Sequence, residues 1–144
     1  MPGPDKLSLI VFSGDYDRVH YALAMAGAAA ATNRAVTLFF TMAATRALLG
    51  RQDDGAPGWS ALAPAADGSA ATARDRAHGD RGIATLEELL SACVEMGVQF
   101  RVCEMGLKAE AIDAADLRDD VPVMISGIVG FLGDVSGNGE MLFI

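Results

Sequence analysis

The stretch Gly97-Val98-Gln99-Phe100-Arg101-Val102-Cys103-Glu104-Met105-Gly106 decides the fold. Gly97 stops the helix before it, because glycine takes the left-handed conformation at a helix end without a Cβ penalty. Val98 to Cys103 is a short run with β-branched and aromatic residues, which predicts a strand. The polar and glycine residues after Cys103 end that strand. A thiol where a strand gives way to a turn is in a position to react, and Cys103 is expected near solvent. The backbone amides of Glu104 to Leu107 can face it, and amides presented at such a turn favour a thiolate. Lys108 adds a positive charge nearby, which Glu104 opposes.

Upstream, Thr85 is a good N-cap, with Glu87 and Glu88 in the first turn, where they favour the helix dipole. Leu86, Leu89, Leu90 and Cys93 follow at i, i+3, i+4 and i+7, one buried face that takes Cys93 with it. Downstream, the acidic segment Leu107 to Asp120 holds one short helix. Val121 to Ile125 is a strand with Pro122 at its start, where proline is tolerated. Gly127 to Val135 is a Gly-rich helix, and Met141 to Ile144 is a last short strand.

Toward the N-terminus, Lys6 to Phe12 is an apolar run suited to a strand buried on both faces. Ser13-Gly14-Asp15 ends it, and Asp15 or Asp17 caps an alanine-dense helix running to about Thr32. Asn33, which tolerates the left-handed region, is the expected stop. Val36 to Thr41 is the second strand, and Met42 to Leu49 a short helix closed by Gly50. From Arg51 to Arg81 the periodicity dissolves. A loop of this length is unusual in a compact domain, so residues 51–81 are expected to be an insertion serving as lid, interface or disordered stretch. Trp59 marks it as the part to order against a neighbouring subunit.

Alternation of strands and helices predicts one α/β domain over residues 1–144, with an open parallel sheet of about five strands and helices on both faces. In such sheets ligands gather at the carboxyl ends of the strands. The residues there are Ser13, Gly14 and Asp15, then Thr41, then Cys103, Glu104 and Met105, then Ser126 and Gly127. Cys93 falls near the opposite rim, beyond the roughly 7 Å Cα separation a disulfide allows. Neither a bridge nor a shared metal is expected.

The chain has 144 residues and a net charge of −8. That charge opposes nucleic-acid binding and docking on anionic lipid, both of which need a basic footprint. Met1 to Lys6 has no cationic leader pattern, and Tyr21 to Ala31 is shorter than the roughly 20 apolar residues a bilayer takes. Two cysteines make no disulfide framework, so the cytoplasm is the expected compartment. No cofactor or metal is expected. Neither His20 nor His78 sits in a motif that would serve a cysteine hydrolase, and His20 reads as a helix residue with a satisfied ring. Gly127 to Gly133 spells G-x-x-G-x-x-G rather than the dinucleotide fingerprint. A nucleotide or flavin binder, or a thiol redox sensor, is one reading of such a chain. A Thr-x-x-Cys peroxidatic motif is absent.

The Gly97–Met105 stretch, the opening strand with Ser13-Gly14-Asp15, the Val36–Thr41 strand, the Leu86-Glu87-Glu88-Leu89-Leu90 helix and the closing Leu142-Phe143-Ile144 together resemble the DsrE/DsrF-like sulfur-relay family, in its single-chain, peroxiredoxin-like branch. The Cys-x-Met element is the most specific piece. The resemblance implies a flavodoxin-like parallel sheet and a homo-oligomer. It also implies that Cys103 carries sulfur as a persulfide between a donor protein and an acceptor protein. Two departures stand out. Gly106 replaces the serine usual after the Met, and residues 51–81 lack the apolar, Lys-rich or Met-rich character common there.

Overall fold

Leu7, Leu9 and Val11 alternate with Lys6, Ser8 and Ile10 along β1 (Lys6–Val11), and this alternation sorts the molecule into two unequal faces. The structure, a computed structural model, describes residues 3–144. Met1 and Pro2, where the leader reading begins, lie outside it. Four further strands join β1: β2 (Ala35–Phe40), β3 (Gln99–Cys103), β4 (Val123–Ser126) and β5 (Glu140–Phe143). All pair in parallel, in the order β4-β3-β2-β1-β5. The expected five-stranded parallel α/β sheet is therefore present.

The first face carries the main core. Leu7, Leu9 and Val11 join Val36, Leu38 and Phe40 of β2 and Phe100 and Val102 of β3. Over them lie α1 (Tyr16–Ala31) and α3 (Leu86–Glu95), which bury Val19, Leu23, Ala26, Leu86, Leu90 and Cys93. The caps follow local chemistry. Thr85 Oγ1 accepts from the Glu88 amide, the N-cap bond the sequence predicts. Asn33 adopts φ 65° and ends α1. Asp15 occupies the N-cap of α1 without a side-chain bond to it. Met42–Leu48 is the expected short helix, in the tighter 3-10 form, and β4 starts two residues later than Val121.

The 51–81 segment departs most from its expected character. It holds a 3-10 turn, Gly58–Ala61, and a ten-residue helix, α2 (Ala71–Asp80). Trp59, Leu62, Ala65 and Ala71 are buried in the main core. Trp59 is 4% exposed, and its indole N–H donates to Glu87. It therefore packs within its own chain rather than against a neighbour. The segment looks structureless in sequence because its partners lie far away, on α1 and α3.

The second face is covered differently. The short helices α4 (Glu104–Ala109) and α5 (Ile128–Asp134) follow β3 and β4. Leu107 of α4 joins the main core, whereas α5 sends its one buried residue, Phe131, into a second core with Phe39 and Cys103. Among the described residues no helix is long and apolar enough to cross a membrane.

Candidate functional site at the carboxyl end of β3

Cys103 is the last residue of β3 and the N-cap of α4, with extended backbone at φ −74° and ψ 129°. Its register partner on β4 is Ser126, so the two residues stand side by side on one face. Gly127 follows as the N-cap of α5. Cys103, Ser126 and Gly127 are thus brought together as expected.

The expected exposure of Cys103 is corrected. The residue is 2% exposed and packs with Phe39 and Phe131. The two phenyl rings stack at 4.5 Å between centroids with 17° between planes. The cause lies in the connection after β4. The chain folds back across the second face as α5 and sets Phe131, fully buried, over the end of β3.

A polar network pins the far end of α5. The Lys6 ammonium donates to Asp134 Oδ2 at 2.6 Å and to its carbonyl at 2.9 Å. Thr37 Oγ1 donates to the same carboxylate oxygen at 2.8 Å, and Arg101 Nη2 lies 3.4 Å from the other. Burial alone would raise the Asp134 carboxyl. The bonds from Lys6 and Thr37 and the charges of Lys6 and Arg101 outweigh it and hold the group below its ordinary range. Arg101 Nε and Ser126 Oγ are buried beneath α5 with no hydrogen-bond partner among the described residues.

The remaining rim residues divide. Glu104 is exposed and Met105 is 57% exposed at the start of α4. Thr41 is buried, and α4 packs directly on the turn that follows it. A Cβ at Gly106 would lie 2.5 Å from the Met42 amide nitrogen and 3.0 Å from Thr41 Cα. Met42 itself sits at φ 49°, a region side chains rarely adopt. Glycine at 106, where the resemblance has serine, is thus matched to this turn. Ser13, Gly14 and Asp15 share the rim but do other work. Ser13 Oγ accepts from the Asp15 amide, and the Gly14 carbonyl accepts from Ala63. They anchor the 51–81 segment, and β2 separates them from β3.

Cys93 has the expected character. It is 0% exposed, its thiol lies 3.5 Å from the Leu23 carbonyl, and burial pushes its pKa up to about 11. Both cysteines are free. His20 is buried and its Nε2 lies 2.8 Å from the Ala84 carbonyl, the satisfied ring its position suggests.

Sequence reasoning passed over Phe39, Phe131, Asp134 and Arg101. One signal was available for Arg101. A charged residue inside an otherwise apolar buried strand needs a partner of opposite charge. Asp134, at the end of a Gly-rich helix, gives no such local sign.

A family model described as the DsrE/DsrF-like family matches residues 5–134. Among solved structures, the YchN protein from E. coli superposes with a TM-score of 0.55 at 14% identity, covering 96% of this chain and 97% of that one. MTH1491 from Methanobacterium thermoautotrophicum, described as a protein of unknown function, gives 0.56 at 16% identity, covering 96% and 98%. At these identities the likeness is one of fold. No curated protein matches the sequence.

Proposed function

The chain belongs to the DsrE/DsrF-like family, and from that premise we propose that it is a sulfur carrier that relays sulfane sulfur as a persulfide on Cys103. The observation that carries this reading is the place of Cys103. It ends β3 at the carboxyl rim, caps α4, and pairs with Ser126. The only other cysteine is buried in the main core with its thiol held protonated.

The chemistry needs one thiolate and no histidine base. The Cys103 thiolate attacks the outer sulfur of a donor persulfide, R–S–SH. A new S–S bond forms on Cys103 as the donor's S–S bond breaks, and the donor leaves as its thiolate. An acceptor thiolate then attacks the outer sulfur held on Cys103 and releases the Cys103 thiolate. Each step is thiol exchange, with no net oxidation, and its rate follows thiolate fraction and access. Two unbridged cysteines suit a reducing compartment, the cytoplasm. Donor and acceptor proteins are the partners this scheme requires.

We also place the carrier in a homo-oligomer. By register, Met124 of β4 and Met141 and Phe143 of β5 share the face that bears α5. They are exposed there alongside Ile128, Val129 and Leu132 of α5. Several large apolar side chains exposed on one face are a mark of association.

The test is intact-mass analysis after incubation with a sulfane-sulfur donor. A gain of one sulfur atom that reductant removes is expected. Cys103→Ser should abolish it and Cys93→Ser should keep it. A Cys103 that peroxide oxidises quickly but persulfide donors leave unmodified would replace relay with redox sensing.

A further inference from the structure

We infer that α5 is a gate over Cys103, plugged by Phe131 and latched by Asp134, and that its opening sets when the thiol reacts. The role of this gate in sulfur transfer rests on the relay reading above. The gate itself rests on geometry alone.

Four observations carry it. First, Cys103 is 2% exposed and packed with Phe39 and Phe131, so an attacking sulfur cannot meet it until that packing opens. Second, Phe131 is the only buried residue of α5, so the helix is held to the sheet by one plug and one latch, with the half-buried Val135 packing on the same core just past its end. That latch is the Asp134 carboxylate, gripped by Lys6 and Thr37 with Arg101 beside it.

Third, α5 is weak as a helix. It has seven residues, two of them Gly130 and Gly133, and isolated helices this short do not persist in water. Its outer side is Ile128, Val129 and Leu132, exposed by 49%, 86% and 51%, which gives it no hold on the rest of its own chain. Fourth, the underside holds polar groups left over when the gate is shut. Ser126 Oγ and Arg101 Nε are buried there without hydrogen-bond partners among the described residues. Opening would free Arg101 and Ser126 beside the thiol, where an anionic persulfide would find a cation and a hydroxyl.

Cys93 provides an internal reference, since it lies in the main core under α1 and α3. Global unfolding exposes both cysteines, whereas motion of α5 exposes Cys103 alone. The experiment is iodoacetamide labelling of the native chain, with both cysteines read by peptide mapping across a pH profile. Asp134→Asn removes the latch charge and should speed Cys103 labelling roughly tenfold, the worth of a charge-assisted bond. Gly133→Ala should slow it about fivefold, the helix propensity gained. An added Cβ there meets nothing within 4 Å, so this variant keeps the fold even if the first does not.

Cys93 should label at an unchanged rate in both variants. The plateau of the Cys103 profile should move rather than its midpoint, which separates uncovering from a change in thiol charge. Unchanged Cys103 rates in Gly133→Ala, parallel shifts at both cysteines, or a moved midpoint with a fixed plateau would each overturn the gate. If labelling follows the gate but no sulfane sulfur is taken up, the relay reading fails and the gate stands.

Discussion

The Tyr16 phenol donates to the buried Asp75 carboxylate across 2.5 Å, joining residues 59 positions apart. Burial first, then the bond to Asp75, holds the Tyr16 hydroxyl protonated far above its ordinary range. The same Asp75 oxygen accepts from the Leu86 amide at 2.7 Å. One carboxylate therefore ties α2 to the start of α1 and the start of α3.

Asp75→Ala should lower unfolding stability by about 3 kcal/mol, because it strands a buried phenol and a buried amide. Tyr16→Phe should cost about half as much, since the Leu86 bond survives. Urea unfolding midpoints at constant slope check both. A midpoint unchanged in Asp75→Ala would mean that the carboxylate does not hold the 51–81 segment.

Beside this bond, the His78 ring lies tilted by 40° against His20, 4.6 Å between centroids, with its Nδ1 buried and without a hydrogen-bond partner among the described residues. Burial first, then the charges of His20 and Arg74, push its pKa below the ordinary imidazole value, against the pull of Asp17 and Asp75. The unfolded chain takes up this proton near pH ~6.5, before the folded one does. The resulting stability is full above that pH and falls as pH drops through it toward the lowered folded value. His78→Gln should flatten this part of a stability-versus-pH curve. Asp134, Glu87 and Asp120, all held below their ordinary values, act in a lower window. Their contribution is full above pH ~4 and is lost below it.

Gly106→Ser should destabilise the chain by about 1–3 kcal/mol, the usual effect of forcing atoms into a filled space. The clash is with backbone, the Met42 amide nitrogen at 2.5 Å, so it cannot be relieved by rotating a side chain. Thermal unfolding measures it. A neutral substitution would mean that the Met42 turn adapts, and that glycine here is not matched to it.

Val129→Asp and Phe143→Asp, at residues 86% and 66% exposed, should leave folding intact while shifting the chain toward monomer. Light scattering across a concentration series, with circular dichroism as the folding control, reads both. A wild-type chain that is monomeric throughout would remove the homo-oligomer.

How much was legible in the sequence depended on how local the cause was. Thr85, Asn33 and the Leu86–Cys93 stripe act within one or two turns, and each has the role its pattern indicates. The place of Cys103 at a strand end was equally local. Its burial was not. Phe131 covers it from 28 positions downstream, along a path set by the return of the chain from β4, at one sheet edge, to β5 at the other. Residues 51–81 failed for a related reason. α2 buries only Ala71 and Asp75, too few positions to leave a periodic stripe, and its stability comes from Tyr16 and Leu86.

The order of strands also dictates how the chain comes together as it leaves the ribosome. β1 is made first, yet the side opposite β2 receives its partner β5 only after every other strand. Until α5 and β5 emerge, the nascent sheet shows a bare β1 edge, an uncovered Phe39 and an open Cys103. Exposed edges and apolar surface are what make partly synthesised chains sticky and in need of chaperones. A chain stopped at residue 127 should therefore aggregate and lose its thiol to oxidants in the cell, although the main core is already encoded.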